Sequence, residues 1–234
     1  MTAGVVALLT YLFIQAQAGD PIRQHQVREH LTEIEELDSE LDEIVLKLRY
    51  QMRNNYDPLV SALEKIKWHK QALKAGELAI SGRGHRQVDM KMVELDKALV
   101  DKEALIEQFK SHNALLKNSL HYLPLSVEQA LSALPAGQDS APLREALHKL
   151  QRNVLLLHMG KQEYFGGEIL AESQQRLAQL EPQPAMRPII RHVRLILELE
   201  QEVDQLLPRI TSGGEHLGKA LSDAYNEAFF AAMQ

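Results

Sequence analysis

Apolar residues recur at heptad spacing along this chain, and that recurrence constrains the fold more than any other feature. The first run steps by 4, 3, 3, 4, 3, 4 and 4 residues through Val27, Leu31, Ile34, Leu37, Leu41, Ile44, Leu48 and Met52. Steps of three and four place side chains on one face of an α-helix. Because charged and amide residues fill the intervening positions, this segment is predicted to bury one stripe in a helical bundle.

Similar runs predict further helices, separated by proline and glycine. A second helix is expected to begin at Pro58 with Asp57 as its cap, and a long third helix is expected to follow the turn at 81–84. This third helix should stop at Pro124, because proline removes a backbone donor. The remaining helices are expected near 126–134, from about 142 to 180 with a bend at Gly166-Gly167, over 189–210, and from 217 onward.

The composition agrees with a helical fold. Aromatic residues make up 5% of the 234 residues, and Leu, Ala, Glu, Gln and Lys dominate, a balance that favours helix over strand. No segment alternates apolar and polar residues in the manner of a strand. The predicted fold class is all-α: an elongated bimodular helical bundle, with two stacked four-helix-bundle modules that share long helices.

Charge and composition exclude several functional classes. The net charge is −6, and no cluster of Lys and Arg suggests a nucleic-acid partner. The chain has no cysteine, which excludes a disulfide framework, a thiolate metal site and a cysteine nucleophile. No catalytic motif is found, so the chain itself is not expected to be an enzyme or to carry a cofactor or metal.

The first eighteen residues carry no charge and are mostly apolar. They are interpreted as a transmembrane helix whose start was trimmed, with two alternatives: a signal peptide cleaved after Ala16-Gln17-Ala18, or a buried soluble helix. The first two interpretations place the rest of the chain outside the cytoplasm. The expected arrangement is therefore an inner-membrane protein whose residues from about 19 to 234 form a periplasmic, all-helical sensor domain.

Polar residues concentrate first around the break between the first two helices. Arg49, Arg53 and Tyr56 follow at helical spacings of four and three, and Asn55 and Asp57 lie beside them. A guanidinium near a phenol and an amide can hold a carboxylate, a nitrate or a phosphate. The alternative is a capped, salt-bridged kink, since Asn, Asp and Pro are common in turns.

A second polar segment lies on the third helix. His112 and Asn113 occupy seam positions there, and Lys102 interrupts the stripe earlier. Polar seam residues either fix the register of a bundle or line a cavity for a ligand. The candidate ligand-binding residues on this segment are Lys110, Asn113, Asn118 and Tyr122.

Other polar patterns are interpreted as surface features. Glu145 and His148 match the spacing of bundle di-iron sites, but no second copy exists, so they are read as a surface pair. His25 and His30 are a weak metal signal. The acidic run from Glu33 to Glu43 is interpreted as a solvated helix face. His192 and Arg194 could face an anion, although a surface role is preferred.

The two polar segments carry a family resemblance. The strings LRYQMRNNYDPLV and IEQFKSHNALLKNSLHYLP resemble the most recognisable stretches of the DAHL domain, a double, all-helical, ligand-binding-like sensor domain. The resemblance covers residues from about 1 to 124 and is looser beyond. It implies a periplasmic sensor between two membrane spans in a bacterial transmembrane histidine kinase or related signalling protein. It carries no assigned ligand residues.

Two functions follow as hypotheses. In the first, a small-molecule ligand or a periplasmic binding protein favours one packing of a membrane-anchored, homodimeric bundle and so passes a helix shift to an output domain. In the second, the chain is a helical spacer or protein-docking module without a small-molecule pocket. The interior at Lys102, His112 and Asn113 discriminates between them: a filled, self-satisfied interior favours the spacer, and an enclosed, hydrated cavity favours the sensor.

Overall fold

The computed structural model describes residues 21–50, 55–75, 85–135, 140–159, 162–180, 184–211 and 217–232. These ranges hold seven α-helices and no strand, which confirms the predicted all-α class. The helices are α1 (Pro21–Arg49), α2 (Asp57–Ala75), α3 (His85–Ala133), α4 (Ala141–His158), α5 (Gln162–Leu180), α6 (Arg187–Thr211) and α7 (Lys219–Ala232), with a 3₁₀ turn at Pro184–Met186.

The heptad stripe of α1 is buried as predicted. Its seam residues from Val27 to Leu48 are all at most 8% exposed, and this stripe packs against α2 and α7. Met52, the last position of the predicted seam, lies outside the described residues. Burying each such aliphatic side chain stabilises the fold by about 1.5–3 kcal/mol, so the seam is the main reason that α1 holds its place.

Pro124 does not end the third helix, and that prediction was wrong. The helix α3 continues through Pro124 to Ala133, and it absorbs the separate helix expected near 126–134. An internal proline costs about 3 kcal/mol through its lost hydrogen bond and ring clash. Leu123 and Val127 on either side are fully or almost fully buried, and their burial offsets a cost of that size.

The helix predicted from about 142 to 180 is in fact two helices. The first, α4, ends at His158, and α5 begins at Gln162 and packs against α4. Gly166 and Gly167, where a bend is predicted, both lie inside α5.

The chain divides into two compact units, and the predicted division into two modules is observed in this sense. Unit 1 comprises Met1–Ile106 and Leu207–Gln234, and unit 2 comprises Glu107–Leu206. Unit 1 therefore contains α1, α2, α7 and the start of α3. Unit 2 contains α4, α5 and most of α6, together with the remainder of α3.

The expected localisation requires correction. Across the described ranges, no helix combines the length and the apolar content needed to cross a bilayer. This finding overturns the predicted inner-membrane location with residues from about 19 onward in the periplasm. The segment 1–18, on which the predicted membrane span or signal peptide fell, lies outside the described residues.

Candidate functional site

The core of unit 1 contains an ion cluster of one lysine and two aspartates. The ammonium of Lys102 donates to Oδ1 of Asp38 at 2.5 Å and to Oδ1 of Asp42 at 2.8 Å. The side chains of Asp38, Lys102 and Asp42 are 5%, 10% and 20% exposed. Charges removed from water this far require partners, so the three groups depend on one another.

Asp38 also fixes the chain at the start of α7. Its second carboxylate oxygen, Oδ2, accepts a hydrogen bond from the backbone N–H of Leu217 at 3.0 Å. The next residue, Gly218, has a φ of +95°, and a Cβ there would lie 3.1 Å from Cγ2 of Ile34. One carboxylate thus joins α1, α3 and the backbone from which α7 departs.

This cluster corrects one sequence interpretation and completes another. The acidic run Glu33–Glu43 is not uniformly a solvated face, because Asp38 is 3% exposed. The sequence shows Lys102 as a polar break in the α3 stripe, but it does not identify the partners of this lysine. The available signal was that Asp38 follows the seam residue Leu37 directly and precedes Leu41 by three, which places it beside the buried stripe of α1.

Around the α1–α2 break, the described candidate residues lie at the end of α1 or at the start of α2. The carboxamide oxygen of Asn55 accepts the backbone N–H of Asp57 at 2.9 Å, so Asn55 rather than Asp57 supplies the cap. Asp57 is exposed as the first residue of α2, and Tyr56 is half-buried. Arg49 is buried and has its own interaction partner, and Arg53 lies outside the described residues.

The second predicted segment lies in unit 2, on α3. Lys110 forms an ion pair with Glu107 at 2.8 Å, one turn away, and Asn118 is exposed. Asn113 is 1% exposed and has an interaction partner. Tyr122, exposed by half, stacks on the ring of His192 with centroids 6.2 Å apart. The candidates of the two segments therefore belong to different units of the chain.

His112 and Lys117 are two further polar residues of this second segment. Nδ1 of His112 lies 3.0 Å from Oε2 of Glu202, but the two atoms are not aligned for a hydrogen bond. Burial lowers the pKa of Lys117, which lies between Asn113 and Tyr122 in the sequence. A ligand-binding role for this second segment stays a prediction.

Unit 2 also buries a histidine–carboxylate pair that sequence reasoning missed. Nδ1 of His158, on α4, lies 2.5 Å from Oε1 of Glu200 on α6, and Glu200 is 3% exposed. Glu200 sits between the seam residues Ile196 and Val203 at steps of four and three. An acidic residue at a seam position was the signal that could have revealed the pair.

A related network joins α4 to α5. The amide of Asn153, 2% exposed, donates to Glu172 at 2.7 Å. Arg176 donates to the other oxygen of the same carboxylate at 2.5 Å. Hydrogen bonds from Arg176 and then from Asn153 lower the pKa of Glu172, so this carboxylate stays charged and fixes the two helices side by side.

A pair of histidines lies between α1 and α2. Nδ1 of His30 is 3.0 Å from Nδ1 of His69, and the ring of Trp68 meets both imidazoles edge to face. Burial, and then the neighbouring His30, lower the pKa of His69. His30 thus pairs with His69 rather than with His25. In the part of the chain that the structure describes, no group of three His, Cys, Asp or Glu residues could hold a metal ion.

The E-x-x-H pattern is a surface feature, as predicted. Glu145 is exposed and forms an ion pair with Lys149 in the next turn, and His148 is exposed. The ion pair lowers the pKa of Glu145.

Comparison with known proteins identifies the family. A family model for the DAHL domain matches residues 20–234. The chain belongs to the DAHL domain family. No curated protein and no solved structure matches it. The resemblance to this family is therefore confirmed from residue 20 onward, and it extends over the later helices of this DAHL domain as well. DAHL domains are helical domains of the sensor type.

Proposed function

We propose that this DAHL domain is the signal-input domain of a bacterial two-component sensor histidine kinase. A bound ligand, or a binding protein that carries one, favours one of two packings of the helices. The shift in packing then alters the activity of an output domain in the same protein. A second copy of the chain completes a homodimer in this proposal. A ligand can drive such a shift only if it binds the two packings with different affinity.

The family match over residues 20–234 carries the sensing role, and the double role of Asp38 supports the coupling between helices. Its two oxygens bind Lys102 on α3 and the backbone amide of Leu217 at the start of α7. A shift of α1 against α3 that weakened the bond to Lys102 would also disturb the position at which α7 begins. Buried ionic groups of this kind hold one arrangement in preference to another, as polar seam residues do in coiled coils.

The experiment uses the full-length protein in which this domain occurs. With labelled ATP, the purified protein is expected to acquire an acid-labile phosphate, as phosphohistidine does. Asp38→Asn keeps an oxygen for the Leu217 amide but removes the charge opposite Lys102. We expect this variant to change the rate of autophosphorylation at least threefold while its circular dichroism spectrum stays helical.

Glu43→Gln is the matched control, because Glu43 is an exposed acid on the same helix. Its rate should equal that of the wild type. An absence of phosphorylation in the wild type would contradict the kinase assignment. Equal rates in wild type and Asp38→Asn would leave the kinase assignment standing and remove the coupling role of Asp38.

A specific observation favours the second candidate, a helical spacer or protein-docking module. Lys102 has two carboxylate partners and Asn113 has its own interaction. These two of the three discriminating interior positions are thus self-satisfied, and only Nδ1 of His112 has no hydrogen bond. If the domain senses a small molecule, the site is better sought away from Lys102 and Asn113. Unchanged kinase activity after replacement of the domain by an unrelated helical rod would support the spacer.

A further inference from the structure

A half-open groove lies between the beginning of α1 and the end of α2, within unit 1. It has a volume of about 220 Å³ and is lined by Arg23, Gln26, Val27, His30, Ala72, Leu73 and Ala75. The groove is smaller than the pockets of about 300–1,000 Å³ that hold drug-sized ligands. It is large enough for a small organic molecule and too small for a folded partner.

Helix geometry and small side chains create this space. Arg23, Gln26, Val27 and His30 are separated by steps of three, one and three residues, which places them on one face of α1. The opposing wall on α2 carries two alanines, Ala72 and Ala75, whose single methyl groups leave the gap unfilled. Val27 and Leu73 also line the groove, but they are almost fully buried, at 8% and 1% exposed.

The polar groups of the groove include one arginine that has no ion pair among the described residues. Arg23 is exposed at the mouth of the groove, next to the amide of Gln26. Arg86 and Lys97 are exposed cations of the same unit that do not line the groove. A planar guanidinium with an amide one turn away suits a carboxylate, which can accept two parallel hydrogen bonds.

The neighbouring charges favour a ligand with a single negative charge. Beyond the histidine pair, Glu33 and Glu29 on α1 act electrostatically on His69, and Lys65 acts in the opposite direction. A second carboxylate placed deeper along α1 would approach the two acids. The methyl groups of Ala72 and Ala75 suit a short hydrocarbon body.

We propose that this groove binds a small organic monocarboxylate, with its carboxylate at Arg23 and Gln26 and its hydrocarbon against Val27, Leu73 and the two alanines. This assignment names the ligand class for the proposed sensing role, and it depends on that role for its biological meaning. Binding itself can be measured without an output domain, so the two proposals fail separately.

The experiment uses the 234-residue chain and its single tryptophan, Trp68. Because the Trp68 ring contacts His30, which lines the groove, its fluorescence should respond to occupancy. The probes are pentanoate, the neutral pentanamide and inorganic phosphate, with calorimetry as a second readout. We expect saturable binding of pentanoate with a Kd of about 0.1–10 mM, as small ligands of this size allow, and at least tenfold weaker binding of the other two.

Two pairs of variants locate the site. Arg23→Gln should raise the Kd for pentanoate at least tenfold, and Ala72→Leu should abolish binding by filling the groove. Arg86→Gln and Ala98→Leu, at exposed positions of α3 in the same unit, should bind as the wild type does. Circular dichroism would check that all four variants are folded.

Three outcomes would overturn the proposal. They are no saturable response of the wild type to pentanoate, an unchanged Kd in Arg23→Gln, and phosphate binding as tight as that of pentanoate, which would make the groove a phosphate site. Loss of kinase control in the full-length protein with intact pentanoate binding would count against the signalling role alone.

Discussion

The two units bury different kinds of polar pair. Unit 1 encloses an aspartate–lysine–aspartate cluster that joins two helices and a backbone amide. Unit 2 encloses a histidine–glutamate pair and an asparagine bonded to a second glutamate. The interior of unit 1 is therefore held by one connected ion cluster that joins several elements, and that of unit 2 by two separate pairs that each join two helices.

The largest expected effect is at Lys102. Lys102→Ala would leave the buried Asp38 and the partly buried Asp42 without their cation, and removal of one partner from a buried ion pair costs about 3–5 kcal/mol. Urea unfolding followed by circular dichroism would measure the loss. Lys97→Ala, at an exposed position of the same helix, is the control and should change the free energy of unfolding by about 0.5 kcal/mol or less. Equal effects of the two substitutions would show that the cluster adds no stability.

A smaller loss is expected at Glu200 in unit 2. Glu200→Ala removes the carboxylate that contacts Nδ1 of His158, and loss of such a hydrogen-bond partner costs about 1–3 kcal/mol. Glu200→Gln keeps an oxygen at that position and should recover part of the loss. Glu198→Ala, two residues earlier and exposed, should be neutral in the same urea experiment. A loss at Glu200 as large as that at Lys102 would remove the distinction between the two interiors.

The cap at Asn55 tests a polar contact outside both interiors. Asn55→Ala removes the oxygen that accepts the Asp57 amide and should cost about 1 kcal/mol. Asn118→Ala, at an exposed position within α3, should raise the free energy of unfolding or leave it unchanged, because alanine is the better helix former. If Asn55→Ala is neutral, solvent satisfies the α2 terminus and the cap is dispensable.

The smallest effect is a pH dependence in unit 1, which comes from the histidine pair between α1 and α2. Burial and His30 lower the pKa of His69 below 6.5, against the opposing influence of Glu33 and Glu29. The unfolded chain then binds a proton more readily than the folded one, so stability is complete above pH 6.5 and declines as the pH falls toward the folded pKa. The urea midpoint should therefore decrease between pH 7.5 and 5.5.

His69→Gln should reduce this slope, and His148→Gln, at an exposed position, should not. A slope that is the same in all three proteins would place the origin of the pH dependence elsewhere. A midpoint that rises on acidification would contradict the direction of the His69 shift.

Sequence reasoning succeeded where periodicity decides the outcome. The α1 seam from Val27 to Leu48 is buried because steps of three and four leave one choice of inward face. Spacing also decides between two adjoining apolar residues. Ile106 lies seven residues after Leu99 and three before Phe109 and is fully buried, whereas its neighbour Leu105 is only partly buried.

The partners of buried polar residues were beyond the reach of sequence. Lys102 was recognisable as a polar break in a seam, but Asp38 lies 64 residues away within a run of acids that all look alike in composition. His158 and Glu200 are likewise on separate helices. Periodicity tells which side of a helix faces inward, whereas the choice of neighbour depends on the tertiary packing of several helices.

Gly218 shows how a residue without a side chain can be sensitive to substitution. Its φ of +95° disfavours any L-amino acid, and a methyl group there would press on Ile34. A random mutagenesis screen should therefore recover loss-of-function changes at this position, although it bears no chemical group. Trimming Ile34 to alanine would relieve the collision but not the backbone strain, so second-site revertants of Gly218→Ala at Ile34 should restore only part of the lost activity.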